Sequence, residues 1–277
     1  MTRGERPVTV IEPRRGWAPL DPRELWRYRE LLWVLARRDV QVRYKQTVLG
    51  VAWAVLQPVL RVLVFTLIFV GVMRSSTGGV PGPVFMYTGQ LPWLLFSTAV
   101  SAMSVSLIGS SGLVTKVYFP RLVLPLSAIG APLVDALISF VVLLALMLVS
   151  GVVPAWTSLP WIVPALVALL LLAVGCGVFL AAFTVTYRDF RHVTPFLLSL
   201  LMFLTPVVWP VERVPEAWRL LLRLNPLTGV VTTFRAAFLG TPVDLLALGI
   251  SLGTGLVLAF VASVLFARFE RRFADVI

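Results

Sequence analysis

The chain has 277 residues, of which 58% are hydrophobic and only 13% are charged, about half the charged fraction of an ordinary soluble domain. Its formal net charge is +11, but the basic residues stand at the ends of apolar runs, which argues against a nucleic-acid-binding domain and favours a membrane protein. The single cysteine, Cys176, excludes an intramolecular disulfide and a cysteine-based metal cluster.

The N-terminal region predicts a flexible arm followed by an interfacial helix. Residues 1–21 are rich in Arg, Pro and Glu and lack apolar periodicity, which is typical of a loosely ordered cytoplasmic arm. Asp21 and Pro22 suit the N-cap and the first position of a helix. Over residues 22–49, apolar residues recur at roughly helical spacing among many arginines. This pattern predicts an amphipathic helix, in one or two pieces, at the cytoplasmic face of the membrane.

Six apolar runs then predict six membrane spans in an all-α integral membrane domain over residues 50–267. The runs cover about residues 51–73, 84–108, 122–149, 159–186, 194–209 and 245–267, and the fifth is short. Cytoplasmic loops carry an excess of Lys and Arg, so the basic residues at the span ends predict that both termini are cytoplasmic. Residues 268–277 are expected to form a cytoplasmic tail.

The segment between the fifth and sixth spans, residues 210–243, has a pattern of its own. Prolines interrupt the helix at the end of the fifth span, and two short helices are predicted at about 216–224 and 227–239, with Asn225 and Pro226 starting the second. Neither helix is long enough to cross a bilayer. Together they predict a re-entrant helical hairpin on the outer side, and the alternative is an external loop that lies on the surface.

Two charges interrupt the predicted spans. Arg61 lies in the first span and Asp135 at a comparable depth in the third, where an unpaired charge is costly, so the two are predicted to pair. The only histidine, His192, has no cysteine or second histidine nearby and is expected to be a surface residue, so no metal site is predicted. No phosphate-binding loop, zinc-protease motif or serine-hydrolase motif occurs, which indicates that the chain is not an enzyme.

The sequence from Arg38 to Trp53, RDVQVRYKQTVLGVAW, closely resembles the permease subunits of ABC-2-type polysaccharide exporters, and the resemblance continues to Gln57-Pro58. Such subunits move lipid-linked O-antigen or teichoic acid chains across the cytoplasmic membrane. Further matching motifs follow in the same order along the chain: Tyr118-Phe119-Pro120-Arg121, Tyr187-Arg188-Asp189, Thr205-Pro206-Val207, and Asn225-Pro226-Leu227 with Arg235.

The resemblance implies a type V exporter-like fold of six transmembrane helices with an N-terminal interfacial helix and an outer re-entrant hairpin. It also implies a homodimer in the bacterial inner membrane, bound from the cytoplasm by two ATP-binding cassette subunits. The chain itself would hold no cofactor, and ATP and Mg would bind the partner subunits. The implied substrate is a polysaccharide linked to undecaprenyl pyrophosphate.

The resemblance also implies roles for particular residues. The interfacial, or gate, helix would act through Arg38, Asp39, Arg43, Tyr44 and Lys45. The loop between the second and third spans would couple to the ATPase through Lys116, Tyr118, Phe119 and Arg121, although two aromatic residues at this depth could equally be membrane anchors. Arg188 and Asp189 form a second candidate contact, for which a self-satisfied ion cluster that caps the fourth helix is the alternative.

Candidates for the substrate path come from one face of the first span and from the outer end of the domain. Arg61, Phe65 and Phe69 recur every fourth residue and therefore share a face, which could offer aromatic rings to sugars and a cation to a lipid pyrophosphate. Helix packing explains the two phenylalanines equally well. The candidates at the outer end are aromatic, and a membrane-interface belt would use the same residue types: Tyr87, Trp93, Phe96 and Trp209.

Three other functions compete with polysaccharide export. An ABC-2 exporter of drugs or small lipids would often carry larger outer domains and lack the long Arg-Asp to Leu-Gly motif. An ion-coupled secondary transporter would show more ionisable residues within its spans than Arg61 and Asp135. A membrane-embedded polymerising or ligating enzyme would usually show a large loop with clustered acidic or basic groups, which the sequence lacks.

Overall fold

A computed structural model describes residues 22–45, 50–72 and 79–270, and every regular element in these ranges is a helix. The predicted arm at 1–21 and most of the predicted tail at 268–277 lie outside the described residues. In chain order the α-helices are α1 (Pro22–Arg27), α2 (Arg29–Lys45), α3 (Gly50–Thr66), α4 (Gly82–Gly109), α5 (Ser111–Lys116), α6 (Val123–Ser127), α7 (Gly130–Val149), α8 (Ile162–Thr186), α9 (Phe190–Leu204), α10 (Glu216–Leu224), α11 (Pro226–Leu239) and α12 (Leu245–Phe269).

Four helical segments in the described part of the chain are long and apolar enough to cross a membrane: Gly82–Gly109, Val123–Val149, Leu159–Thr186 and Leu245–Phe269. They coincide with the predicted second, third, fourth and sixth spans, so the all-helical membrane fold is confirmed. The predicted first and fifth spans correspond to shorter helices. The first is α3 continued by a π-helix, Leu67–Val72, and the fifth is α9.

The centre of the bundle is formed by α4, α8 and α12, with α11 packed among them. Small residues let these helices approach closely. This is usual in membranes, where the hydrophobic effect does not drive helices together and close packing contributes instead. A Cβ atom at Gly175 in α8 would lie 2.7 Å from the Leu258 Cβ in α12. One at Gly229 in α11 would lie 2.2 Å from the Ala247 carbonyl oxygen. Glycine is therefore required at both contacts.

The chain between the fifth and sixth predicted spans contains both expected short helices, α10 and α11. The Asn225 side chain caps α11 by accepting a hydrogen bond of 3.1 Å from the Leu227 backbone N–H. Gly240 ends α11 in the left-handed conformation, with φ of 72°. Residues 227–238 are buried apart from half-buried Thr232, whereas α10 leaves Trp218 and several leucines exposed.

The N-terminal helices break once, at Tyr28, so the predicted amphipathic helix is in two pieces within the described residues. α2 packs against α6 and α7. Its contact side buries Leu35 and Ala36, while Trp33 is 68% exposed. This packing brings the last turn of α2 next to α7, where the candidate site lies.

Candidate functional site

A cavity of about 140 Å³ with both apolar and polar side chains in its wall lies where α2, α3, α4 and α7 meet. Its polar lining comes from all four helices: Arg43, Tyr44, Gln57, Arg61, Thr98, Asp135 and Ser139. The residue spacing explains the polarity, because Gln57 and Arg61 stand four residues apart on α3, as do Asp135 and Ser139 on α7, so each pair shares one helix face. Two otherwise apolar helices thus turn their polar faces towards the same space.

Asp135 is held by two residues of α2. One carboxylate oxygen accepts a hydrogen bond of 2.5 Å from the Arg43 guanidinium, and the other accepts one from the Tyr44 hydroxyl. Burial, strengthened by the Asp135 carboxylate, raises the pKa of Tyr44 above its ordinary value, so this hydroxyl remains a proton donor. The sequence predicted that Asp135 pairs with Arg61, and this prediction is wrong. Arg43 on the neighbouring helix α2 is a second cation, and the packing of α2 against α7 brings Arg43 to the carboxylate.

Arg61 lines the same cavity but makes no hydrogen bond or ion pair with any residue that the structure describes. The charged lining consists of Arg43, Arg61 and Asp135, so the cavity has a net charge of +1. The Ser139 hydroxyl is buried there beside the Tyr87 hydroxyl, and neither makes a well-formed hydrogen bond with a described residue. Within the described part of the chain, the cavity therefore holds a cation, Arg61, that has no ion-pair partner.

A second cavity, of about 310 Å³, lies on the other side of Arg43, between α2 and the helices α4, α6 and α7. Arg38 and Asp39 line it and form an ion pair of 2.9 Å with each other. Lys45, the last residue of α2, is exposed. The five gate-helix candidates thus divide into Arg43 and Tyr44, which bind Asp135, and three residues that do not.

The candidate coupling segment at the end of α5 and after it has an exposed first part and a buried second part. Tyr118 is 69% exposed, whereas its neighbour Phe119 is only 6% exposed and packs in the core. Lys116 is exposed. Arg121 is tied to the end of α12, since its backbone N–H donates 2.9 Å to a Glu270 carboxylate oxygen and its guanidinium donates to the Glu270 backbone carbonyl. Lys116 and Tyr118 are therefore the members of this set that a partner can reach.

The loop between α8 and α9 exposes Arg188 and Asp189. Neither forms an ion pair with another described residue, so the alternative of a self-satisfied ion cluster is not realised within that part of the chain. Aromatic side chains support the loop instead, with the Phe183 ring 5.7 Å from Phe190 and 5.6 Å from Phe269.

A buried arginine, Arg235, contacts the non-helical segment that follows α9. The Arg235 guanidinium donates hydrogen bonds of 3.1 Å and 2.8 Å to the carbonyls of Pro206 and Val207. It also stacks 4.0 Å from the centre of the Phe85 ring. Non-helical backbone inside a membrane bundle needs internal partners for its polar groups. Arg235 supplies them here.

Comparison with known proteins identifies the family of this bundle. The sequence model of the ABC-2 type transporter membrane family matches residues 30–239, which is most of the chain. The chain belongs to the ABC-2 type transporter family. It is therefore a multi-pass membrane component of a transporter and not an enzyme.

Several relatives align with this chain over most of their length. The chain is 36% identical over 260 residues to the O-antigen export system permease protein RfbA of Myxococcus xanthus, covering 91% of this chain and 97% of that protein. It is 27% identical to the protein of the same name from Klebsiella pneumoniae, with 90% and 95% covered. It is 29% identical to the polysialic acid transport protein KpsM of Escherichia coli, with 72% and 78% covered.

The aromatic path candidates lie deeper in this ABC-2 subunit than the sequence indicated. Tyr87, Trp93 and Phe96 are buried within the single chain, with exposures of 1%, 5% and 2%. Trp209 is half-buried, and its indole N–H donates 3.3 Å to the Phe203 carbonyl. Burial of the first three within the chain is not what the alternative of an interfacial aromatic belt would give, and the path role stays a prediction. The side chains of Phe65 and Phe69 lie outside the described part of the structure.

Two features of the site were missed from the sequence, although each left a signal. Arg235 appeared in the sequence only as part of a motif that matches the family, although a single arginine in an otherwise apolar helix indicates a buried cation that needs partners. The four-residue spacing of Gln57 with Arg61 and of Asp135 with Ser139 marks polar faces on apolar helices. No group of three or more His, Cys, Asp or Glu side chains that could hold a metal occurs among the described residues.

Proposed function

We propose that this chain is the permease subunit of an ATP-driven exporter that moves a lipid-linked polysaccharide, of O-antigen or teichoic-acid type, across the bacterial inner membrane. The observation that carries the proposal is the 36% identity to an O-antigen export permease over 91% of this chain and 97% of that protein. The undecaprenyl-pyrophosphate linkage of the substrate is part of the proposal.

The proposed topology has six spans and two cytoplasmic termini. The first span is α3 with its π-helical extension, a run of 23 residues from Gly50 to Val72 that is about 34 Å long at helical rise, enough for a bilayer core. The fifth is α9, whose side chains are largely apolar and exposed, including Phe196 at 62% and Phe203 at 59%. α10 and α11 form the outer re-entrant hairpin, which is supported by the burial of α11 among three long helices.

The proposed assembly is a homodimer with two ATP-binding cassette subunits that bind ATP and Mg. The apolar faces of α3 and α9 support a membrane-embedded contact with lipid or a second copy, because Leu63 is 51% exposed and Leu204 is 65% exposed. Lys116 and Tyr118 are accessible for contact with the ATPase, as are Arg188 and Asp189. In this assembly ATP-driven closure of the cassette subunits would move the coupling loop and the gate helix α2.

Co-purification with a cassette protein tests the proposal. The cassette protein encoded beside this chain would be purified in nanodiscs with and without it, and its rate of ATP hydrolysis would be measured. We expect a stable complex whose ATPase rate differs from that of the cassette protein alone. Failure of any such cassette protein to bind the folded chain would contradict the proposed exporter.

A further inference from the structure

We propose that the cavity between α2, α3, α4 and α7 binds the phosphate group of a lipid headgroup, with Arg61 as its principal ligand. Arg61 is the charged cavity residue that makes no ion pair with the described residues, while Arg43 is already bound to Asp135 at 2.5 Å. Arginine holds phosphate through parallel N–H donors and is less strongly hydrated than lysine, which suits it to a site at membrane depth.

The position of Arg61 in its helix calls for an anionic partner. It stands eleven residues after the start of α3, or about 16 Å along the helix axis. A cation at such a depth is stabilised by water, by an opposite charge or by extension to the interface. The cavity supplies space for an anion next to the guanidinium, and its net charge of +1 makes a phosphate more favourable there than a neutral ligand.

The uncharged polar groups of the cavity suit phosphate oxygens. Ser139 is 2% exposed and belongs to the cavity wall, where its hydroxyl lies beside that of Tyr87 without a well-formed hydrogen bond to a described residue. Gln57 lies one turn before Arg61 on the same face and can add amide donors. A hydroxyl, an amide and a guanidinium thus line one cavity between α3 and α7.

The apolar surroundings suit a lipid rather than free phosphate. The residues beside the polar face of α3 are exposed and aliphatic, with Leu56 at 41%, Leu60 at 47% and Val64 at 50% exposure. A headgroup in the cavity would leave its hydrocarbon chain along this surface, among the lipid chains of the bilayer.

Asp135 would regulate the same site. Its carboxylate occupies Arg43 and contributes the negative charge of the cavity. A phosphate at Arg61 would compete with Asp135 for Arg43, so its arrival would loosen the contact between α2 and α7. Removing the Asp135 charge should therefore strengthen phosphate binding, which is the opposite of what a purely structural ion pair would show.

The phosphate could belong to the polyprenyl diphosphate of the exported substrate or to a resident membrane phospholipid. The first source rests on the proposed function, and the second does not. Binding of radiolabelled farnesyl diphosphate to the full-length chain in phosphatidylcholine nanodiscs tests the first source. Retention of phosphatidylglycerol from mixed nanodiscs, measured by mass spectrometry of the purified chain, tests the second.

Four variants define the expected result. Arg61→Gln should lower the affinity for the bound probe, farnesyl diphosphate or phosphatidylglycerol, by at least about tenfold, which is about 1.4 kcal/mol. Arg213→Gln, a matched change at an exposed arginine outside the cavity, should leave binding unchanged. Asp135→Asn should bind the probe more tightly, and Ser139→Ala should weaken it by a factor of a few. Elution as a single species would verify that each variant is folded.

The outcomes separate the two proposals. Arg61-dependent binding of either probe supports the phosphate site, and the tighter probe names its source. Equal binding by Arg61→Gln and the unchanged chain, or equal losses in Arg61→Gln and Asp135→Asn, would overturn it. Cell-surface display of the glycan reports separately on the proposed function. If the glycan is displayed normally and probe binding does not depend on Arg61, only the phosphate site is contradicted. If the chain does not export a glycan, binding of a phospholipid at Arg61 can still hold.

Discussion

At the scale of single residues, the bundle contains two charged side chains that are satisfied in different ways. Arg235, 7% exposed, donates to backbone carbonyls and stacks on a phenylalanine ring, and it forms no ion pair with a carboxylate of the described residues. Asp135, by contrast, accepts from a cation and a hydroxyl on a neighbouring helix. The first residue stabilises an interrupted helix, and the second joins the gate helix to the membrane domain.

Replacing Arg235 by methionine should destabilise the membrane domain by about 2–4 kcal/mol, because the carbonyls of Pro206 and Val207 would be left buried without donors. Thermal unfolding in detergent measures this change. The control is Arg223→Gln, since Arg223 is about half exposed and pairs with Asp244 at 2.7 Å, a surface ion pair that contributes no more than about 1 kcal/mol. Equal shifts in the two variants would contradict the role given to Arg235.

A double-mutant cycle should show that Asp135 is coupled to Arg43 more strongly than to Arg61. Exchange of the charges, Arg43→Asp with Asp135→Arg, should recover about 1–2 kcal/mol relative to the sum of the single changes, because the two side chains are in direct contact. The corresponding exchange of Arg61 and Asp135 is the control and should recover less. Greater recovery from the Arg61 exchange would restore the pairing predicted from the sequence alone.

At the scale of helices, α11 is the least ordinary element, because it is short and yet buried on nearly all sides. Close contact with α12 depends on Gly229, where a Cβ atom would lie 2.2 Å from the Ala247 carbonyl oxygen and 2.3 Å from the Ser251 hydroxyl. The Ser251 hydroxyl also donates 2.5 Å to the Pro226 carbonyl, at the start of α11. A side chain at Gly229 would separate both contacts.

Gly229→Ala should therefore reduce the yield of folded protein sharply, since two of the three nearest atoms belong to the Ala247 backbone and cannot move aside. Fluorescence-detected size-exclusion chromatography measures the yield. Gly249→Ala, in α12, is the matched control, because nothing lies within 4 Å of the added Cβ atom. It should be neutral or slightly stabilising, as alanine is the better helix former. A normal yield of Gly229→Ala would show that α11 packs differently.

The four long helices and the short helices α10 and α11 were predictable from the sequence. Apolar runs, helix-capping residues and prolines are local patterns that need no knowledge of packing. The partners of Asp135 were not predictable in this way, since the choice between Arg61 and Arg43 depends on how α2 packs against α7. Similarly, the sequence YFP at 118–120 shows two neighbouring aromatics but not that Phe119 faces the core and Tyr118 the solvent. Burial of Tyr87, Trp93 and Phe96 likewise follows from the packing of α4 against its neighbours.

At the scale of the whole molecule, the chain exposes features of different kinds on different surfaces. Exposed aliphatic and aromatic residues follow α3, α7, α9 and α12, as expected for contact with lipid or a second subunit. The loops after α5 and α8 expose charged and aromatic residues. In the proposed topology these two loops lie on the cytoplasmic side, where the ATPase would bind.

Tyr118→Ala should uncouple ATP hydrolysis from this subunit without unfolding it, because Tyr118 is 69% exposed. We expect the change in ATPase rate caused by the unchanged permease to fall severalfold, measured in nanodiscs with the cassette protein. Trp156→Ala is the control, since Trp156 is 72% exposed in the loop before α8, on the side predicted to be external. An effect of Trp156→Ala equal to that of Tyr118→Ala would contradict the coupling role.

The most direct measurement of the central proposal is the location of the glycan in cells of the source organism that lack this chain. Lipid-linked glycan should accumulate on the cytoplasmic side of the inner membrane and disappear from the cell surface. Surface glycan should return with the unchanged chain but not with Tyr118→Ala. A surface glycan that is unaffected by deletion, with no lipid-linked glycan accumulating inside, would contradict the account.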